Sequence, residues 1–397
     1  MKKNIVTILF ALLVLSACTL CGCATKEGAG KYRATFMRVS KTDFPPEEFL
    51  EGGAQLLLRG NGHGTLTMGG AQSALTWQLD GHAITVQCEG STTEGTLYGD
   101  MIYLVQVLGT EMDLAFAKEG AAVNGDGKAE SKDGSLGDYR VMLSGAEEFD
   151  LNDAEDGKKG LRVYYDFTNN SDDTVMSGAK LDLEARQDGE VLKSGSAQKD
   201  VREYNNRVMY VRPGCSIRAV QELSFDPAGG PVELKVSARH EDQAHVITQT
   251  YDPSALPGAP AEEFVPAPVA DPKWTEGLEA EGDLDYLHVK ALRAETLEEG
   301  GEARVRVYVS LTNIEDDSGE IIPSEAVAVY VYQDGLELKN GMLEQRSDSD
   351  ELYYKAIPEG GTVEASVVFR LLSHDPVEVE LTNVNGEPVY GARFELP

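Results

Sequence analysis

LRVYYDFTN at residues 161–169 and VRVYVSLTN at residues 305–313 are two versions of one short segment, identical at five of nine positions. In the first version apolar side chains, among them Leu161, Val163 and Phe167, occupy every second position. Successive side chains of a strand point to opposite faces of its sheet, so this alternation predicts a β-strand with one buried face. The repetition predicts two related β domains.

The likeness extends well beyond these two segments. QDG at residues 187–189 matches QDG at 333–335, and PVE at 231–233 matches PVE at 376–378. The offset stays between 144 and 146 residues throughout, which indicates a duplicated domain.

Each copy alternates short apolar–polar segments with turn residues. The copies span residues 137–252 and 276–397, and each holds about seven such segments, the number expected of an immunoglobulin-like β-sandwich. The Cys…Trp…Cys signature of antibody domains is missing from both copies.

Residues 31–118 form a third piece of different character. It contains eight short alternating segments separated by tight-turn signals such as Asp80-Gly81 and Gly99-Asp100. Eight hairpin-connected strands suit a small up-and-down barrel, which removes its sheet edges by closing on itself. The predicted fold class is therefore all-β, with a small antiparallel barrel followed by two sandwiches.

Two segments between these pieces have the composition of linkers. Residues 119–136 (EGAAVNGDGKAESKDGSL) lack apolar periodicity and predict a flexible linker. Residues 253–275 contain six prolines and predict an extended, semi-rigid linker.

Both kinds of predicted domain resemble known families. TWQLDG at residues 76–81, followed by ITV at 84–86, resembles the lipocalin-like domains of Gram-positive surface lipoproteins. FTNNS at 167–171, the QDG hairpin and VRPG at 211–214 resemble an immunoglobulin-like domain of unknown function that is repeated in Gram-positive lipoproteins. The second copy departs from this pattern at Ile314-Glu315. The resemblance implies an extracellular accessory or binding role and no particular activity.

Residues 1–23 have the features of an export signal. Lys2 and Lys3 precede a 13-residue, mainly apolar stretch, which is too short to span a bilayer as a helix. The stretch ends in LSAC at residues 15–18, which resembles the bacterial lipobox, with Cys18 as the lipidated residue and Cys23 as the alternative. Two or more acyl chains anchor a protein stably. We therefore expect a membrane-anchored protein on the extracytoplasmic face.

The charge excludes one class of partner. Lys and Arg number 35 against 67 Asp and Glu, a net charge of −32, whereas binding to nucleic acid needs a basic surface. More than half of the acidic excess lies in residues 276–397, which hold 9 basic and 27 acidic side chains. Besides the membrane, reached through the lipid, the expected partner is an envelope protein, a glycan or a small ligand.

The sequence offers little catalytic or metal chemistry. His240 and His245 are five residues apart, whereas a zinc-protease helix needs a spacing of four. Acidic runs at residues 150–156, 316–317 and 348–351 lack the spacing of an EF-hand and are expected to be solvated loops. We expect no catalytic residue, no metal and no cofactor, and Cys88 and Cys215 as buried thiols without a disulfide.

One repeated pair suggests a shared surface. Arg162 and Tyr164 recur as Arg306 and Tyr308, on the face opposite the apolar side chains. They are the candidate interaction residues, with stabilising packing between neighbouring strands as the alternative. The expected function is non-catalytic binding at the cell envelope. The alternatives are transport of an apolar ligand inside the barrel and an envelope hydrolase.

Overall fold

The computed structural model describes residues 27–396 except 41, 153–156, 198–200, 202, 240–241, 263, 265–273, 315–318, 342 and 344–345. The chain divides into two compact units. Unit 1 comprises residues up to 132 together with 237–248, and unit 2 comprises residues 133–236 and 249–397. The expected all-β fold with a small antiparallel barrel is confirmed.

Unit 1 is built on an eight-stranded barrel formed by β1 and β3–β9. Each strand pairs with the next, and β1 also pairs with β9, which closes the sheet. The extra strand β2 pairs with β1 outside this circuit, and short 3-10 turns lie at Pro46–Glu48 and Val107–Gly109. The strands are β1 (Gly30–Val39), β2 (Thr42–Phe44), β3 (Ala54–Leu58), β4 (His63–Met68), β5 (Ala71–Asp80), β6 (Ala83–Cys88), β7 (Ser91–Tyr98), β8 (Met101–Val105) and β9 (Met112–Lys118).

Side chains occupy the barrel interior. Trp77, Leu56, Ile84 and Phe116 are buried there in one apolar cluster, and the Trp77 indole nitrogen donates to the Arg59 carbonyl (3.0 Å). Burial of these side chains supplies the main stabilisation of a closed barrel. A packed interior of this kind argues against the transport of an apolar ligand inside the barrel.

The first copy consists of two sheets in the order β11-β12-β13-β18 and β10-β20-β19-β15-β16. The strand predicted at residues 161–169 is present, and Leu161, Val163, Tyr165 and Phe167 are all buried on one face. Arg162 and Tyr164 on the opposite face are buried as well, so the prediction of a single buried face is wrong. The elements are β10 (Ala129–Glu130), β11 (Ser135–Leu136), β12 (Tyr139–Phe149), β13 (Lys159–Asn169), β14 (Val175–Met176), α1 (Ser177–Lys180), β15 (Leu181–Gln187), β16 (Glu190–Val191), β17 (Tyr210–Val211), β18 (Ser216–Phe225), β19 (Val232–Ala238) and β20 (His245–Tyr251), with a 3-10 turn at Asn206–Val208.

The tip of the β19–β20 hairpin belongs to unit 1. Ala244 is buried in an apolar cluster with Phe36 and Tyr103 of the barrel wall. Gln243 accepts a hydrogen bond from Arg38 (2.5 Å). The hairpin tip is thus a docking element within unit 1.

The second copy repeats the two-sheet plan. One sheet has the order β21-β22-β23-β26, and β24, β25, β27 and β28 lie in the other. Apolar side chains of both sheets, such as Val307 and Val379, share one core. The elements are β21 (Glu281–Leu284), β22 (Leu287–Glu299), β23 (Glu302–Asn313), α2 (Pro323–Ala326), β24 (Val327–Gln333), β25 (Leu336–Glu337), α3 (Asp348–Leu352), β26 (Thr362–Arg370), β27 (Val377–Asn383) and β28 (Val389–Phe394).

A single sheet joins the two copies within unit 2. Its order is β14-β17-β25-β24-β27-β28, and Val211 of the first copy pairs with Leu336 of the second. The Arg212 guanidinium lies 3.9 Å from the ring centre of Tyr332 and 4.9 Å from that of Trp274. It also donates to Glu380 across the junction (2.6 Å).

The prediction of a flexible linker at residues 119–136 is wrong. Ala129 and Glu130 pair with β20, Leu136 pairs with β12, and Lys128 is buried. These backbone groups find partners on existing strand edges, which local composition does not reveal. In the Pro-rich segment Gly258 pairs with Ala146, and residues 265–273 lie outside the described part.

Candidate binding sites

The predicted residues of the first copy are buried in an ion-pair network. Arg162 donates to Glu222 through Nη2 (2.6 Å) and to Glu147 through Nη1 (2.9 Å). The Tyr164 hydroxyl donates to the same Glu147 oxygen (2.8 Å). Phe149 lies against Arg162, with its ring centre 4.8 Å from the guanidinium carbon.

The equivalent pair in the second copy is held in the same way by different partners. Arg306 donates to both carboxylate oxygens of Asp350 (3.0 and 2.9 Å). Tyr308 donates to Glu295 (3.0 Å) and lies under Arg293. Burial opposes the ionisation of Asp350, but hydrogen bonds from Ser366, Ser347 and Arg306 outweigh it, so the pKa of this carboxyl is lowered.

The exposure expected of Arg162, Tyr164, Arg306 and Tyr308 is therefore wrong. Three of the four side chains are buried, and Arg306 is half-buried. In each copy a segment that follows the QDG hairpin covers this face. In the first copy the Ala197 N–H in this segment donates to Glu222 (3.2 Å). In the second copy the segment contains α3, which supplies Asp350. The structure favours the alternative, in which these residues stabilise their own sheets.

A groove with a volume of about 800 Å³ lies on the outer surface of the barrel. Cross-strand pairing places two rows of side chains along its floor. Lys31, Leu57 and Thr65 form one row, and Arg33, Gln55, Thr67 and Gln72 form the other. Amide and hydroxyl groups, which both donate and accept hydrogen bonds, predominate in the middle of the groove.

Residues 119–127 form one wall of this groove. Gly127 lies so close to β1 that a Cβ atom on it would be 2.3 Å from the Thr35 carbonyl oxygen, and its φ is +75°. Only glycine fits both constraints comfortably. Asn124 closes the loop by accepting from the N–H groups of Asp126 and Lys128 (both 3.0 Å).

A buried cation secures this wall. Lys128 pairs with Asp43 (3.3 Å) and lies 5.1 Å from the ring centre of Phe36. Burial alone would raise the pKa of Asp43, but the hydrogen bond from Arg38 and the charge of Lys128 outweigh burial, so the pKa is lowered. Asp43 is therefore an anionic anchor between two cations, and the groove wall is fixed to the barrel.

At the groove rim Glu47 pairs with Arg33 (2.9 Å). The hydrogen bond from Arg33 lowers the pKa of Glu47. Glu47 is thus the anionic partner of Arg33 at the rim of the groove.

Two asparagines organise one end of each copy, and sequence reasoning missed their role. Asn169 is buried and donates to the carbonyls of Asp173 (2.7 Å) and Val211 (2.9 Å). Asn313 is buried and donates to the carbonyls of Gly319 (2.9 Å) and Ile357 (3.1 Å). The repeated Thr-Asn at the ends of the quoted segments was the available signal.

Several predicted features lie outside the described residues: Cys18, Cys23, the pair His240-Glu241, and the acidic positions 153–156 and 316–317. Among the described residues, no three His, Cys, Asp or Glu side chains are placed to hold a metal ion. No helix in that part of the chain is long and apolar enough to cross a membrane. Cys88 and Cys215 are buried and form no disulfide, as expected.

Comparisons with known proteins assign this chain to a family. A model for a domain of unknown function, DUF5067, matches residues 118–238 and 271–383. The search of curated proteins gives no match. Among solved structures the chain is similar to one described as a "putative lipoprotein" from Staphylococcus aureus subsp. aureus NCTC 8325, with 14% identity, a TM-score of 0.24, and coverage of 28% of this chain and 84% of that chain. Since the two DUF5067 matches together span more than half of the 397 residues, the chain belongs to the DUF5067 family and carries the domain twice.

Proposed function

We propose that this protein is a lipid-anchored, extracytoplasmic protein of a bacterial cell envelope whose role is non-catalytic binding. The lipobox-like segment ending at Cys18 supports the anchor. The groove on the barrel supports the binding role, and it is the observation that carries the proposal.

The groove suits a neutral, polar ligand of the glycan class. Gln55, Thr67 and Gln72 offer hydrogen bonds of both senses in one row, and Leu57 adds apolar contact. Sugars present hydroxyl groups together with C–H faces, which match such a mixed surface.

The experiment is a titration of the full chain with a panel of soluble neutral oligosaccharides, followed by calorimetry. The double variant Gln55→Ala, Thr67→Val removes two polar groups from the groove floor, and we expect its affinity to fall about tenfold. Gln78→Ala changes an exposed amide on β5 that does not line the groove, so it is the matched control.

Unchanged affinity of the double variant would refute the groove assignment. Chromatography of the oligosaccharides after incubation tests the alternative function, an envelope hydrolase. Recovery of intact oligosaccharide supports binding alone, and shortened products would overturn the non-catalytic role.

A further inference from the structure

Three exposed apolar side chains lie at one end of the second copy. Tyr286, Ile314 and Val384 are 52%, 41% and 67% exposed. Their loops are neighbours, because the Ile314 N–H donates to the Tyr286 carbonyl (3.0 Å) and Asn383 donates to Asp285 (3.1 Å). We call these three side chains the loop-end patch.

Hydrogen bonds of two asparagines, Asn313 and Asn383, hold the loops that carry the patch. The buried Asn313 side chain fastens the loops at Gly319 and Ile357, and its backbone carbonyl accepts from the Gly360 N–H (3.1 Å). Asn383 accepts from the N–H groups of Asn385 (2.9 Å) and Glu387 (3.2 Å). These hydrogen bonds fix the described residues of the loops, which lowers the entropic cost of binding there.

The first copy is polar at the equivalent positions. The Asn170 N–H donates to the Asp138 carbonyl, so these two residues occupy the places of Ile314 and Tyr286. The hairpin that corresponds to β27–β28 is β19–β20, whose tip docks within unit 1 through Ala244. The tip of this hairpin is therefore buried in the first copy, whereas the second copy presents Val384 at the same hairpin in an exposed position.

The loops at this end of the second copy also carry exposed carboxylates, namely Asp285, Glu320, Glu359 and Glu387. The basic residue in the described parts of those loops, Lys355, pairs with Glu351 (2.7 Å). Exposed apolar side chains on loops that also carry negative charge complement a partner with apolar side chains and positive charge. A second copy of this chain does not fit, because residues 276–397 hold 27 acidic and 9 basic side chains and would repel their like.

We propose that the loop-end patch docks a polypeptide segment that carries Lys or Arg beside apolar side chains. Tyr286, Ile314 and Val384 provide the apolar contact, and Glu320, Glu359 and Glu387 attract the cations. This surface belongs to unit 2, whereas the groove belongs to the barrel. A negative result for one of the two assignments therefore leaves the other unaffected.

The probe is a fluorescent synthetic peptide of alternating Lys and Leu residues, and its twin carries Glu in place of every Lys. Anisotropy titrations use the full chain. We expect the Lys peptide to bind, with an affinity that falls as NaCl rises. The triple variant Tyr286→Ser, Ile314→Asn, Val384→Asn should bind at least about tenfold more weakly.

Two further variants separate docking from general attraction to an acidic protein. Leu372→Asn removes an exposed apolar side chain outside the patch and should bind like the original chain. Glu359→Gln combined with Glu387→Gln should flatten the salt dependence. If the triple variant keeps the melting temperature of the original chain, its loss of binding results from the changed surface side chains and not from unfolding.

Three outcomes would overturn the proposal: equal binding of both peptides, undiminished binding by the triple variant, or equal losses for the triple variant and Leu372→Asn. Sedimentation of the full chain tests the competing occupant. A dimer that the triple variant abolishes would assign the patch to a second copy, whereas a monomer supports the proposed partner.

Discussion

At the residue scale, a buried arginine stabilises the outer face of the first copy. Arg162 and Glu222 are 5% and 4% exposed, and their geometry includes two hydrogen bonds to one carboxylate oxygen. A buried ion pair adds little to folding stability compared with an apolar pair of similar volume. Removal of one partner, however, leaves the other charge buried without a counter-ion. Such pairs therefore make the fold sensitive to single substitutions.

Arg162→Ala should destabilise unit 2 by about 3–5 kcal/mol, because it leaves Glu222 buried without its cation. Chemical denaturation followed by circular dichroism measures the loss. The matched control is Arg186→Ala, which breaks a half-exposed pair with Glu184 in the same copy and should cost less than about 1 kcal/mol. Equal effects of the two substitutions would contradict the burial argument.

At the element scale, the pairing of β17 with β25 turns two sandwiches into one unit. The ladder is short, since Val211 and Leu336 are its only paired positions among the described residues. Hydrogen bonds extend it on both sides, from the Tyr210 N–H to Glu337 (3.0 Å) and from the Arg212 N–H to the Gly335 carbonyl (3.0 Å). The side chain of Arg212 then fills the junction between two aromatic rings.

Arg212→Ala should loosen this junction. The substitution removes the cation–aromatic contacts with Tyr332 and Trp274 and leaves Glu378 and Glu380 without their shared cation, at a cost of about 3 kcal/mol. We expect a lower melting temperature and a red shift of the Trp274 fluorescence. Trp77, the other tryptophan, stays buried in the barrel.

Arg393→Ala is the control for this prediction. Arg393 lies 3.9 Å from the same Glu378, and both residues belong to neighbouring strands of the second copy, β28 and β27. If both substitutions shift the fluorescence of Trp274 equally, the junction does not depend on Arg212.

At the scale of the whole molecule, the acidic charge is concentrated far along the chain from the expected membrane anchor. Residues 276–397 carry most of the acidic excess, and the expected anchor lies at the other end of the chain. Repulsion from an anionic envelope would favour an orientation with these residues outward, and added salt would weaken it.

The anchor assignment predicts the location of the protein in cells. Cys18→Ala should abolish lipid attachment, so that an unprocessed, larger precursor accumulates, whereas Cys23→Ala should leave processing unchanged. Membrane fractionation and gel mobility are the measurements. An unchanged pattern for Cys18→Ala, or a loss with Cys23→Ala, would move the lipid to another residue.

The all-β class, the eight-stranded barrel and the duplication can be predicted from the sequence, because strand alternation and turn residues are local signals that do not depend on tertiary contacts. The sequence also predicted that Cys88 and Cys215 would be buried. The burial of Arg162 and Tyr164 depends on tertiary contacts, since the segments that cover them come from distant parts of the chain. The same holds for residues 119–136, the groove and the loop-end patch: each depends on which elements meet in space, and alternation along one strand cannot specify what packs on its outer face.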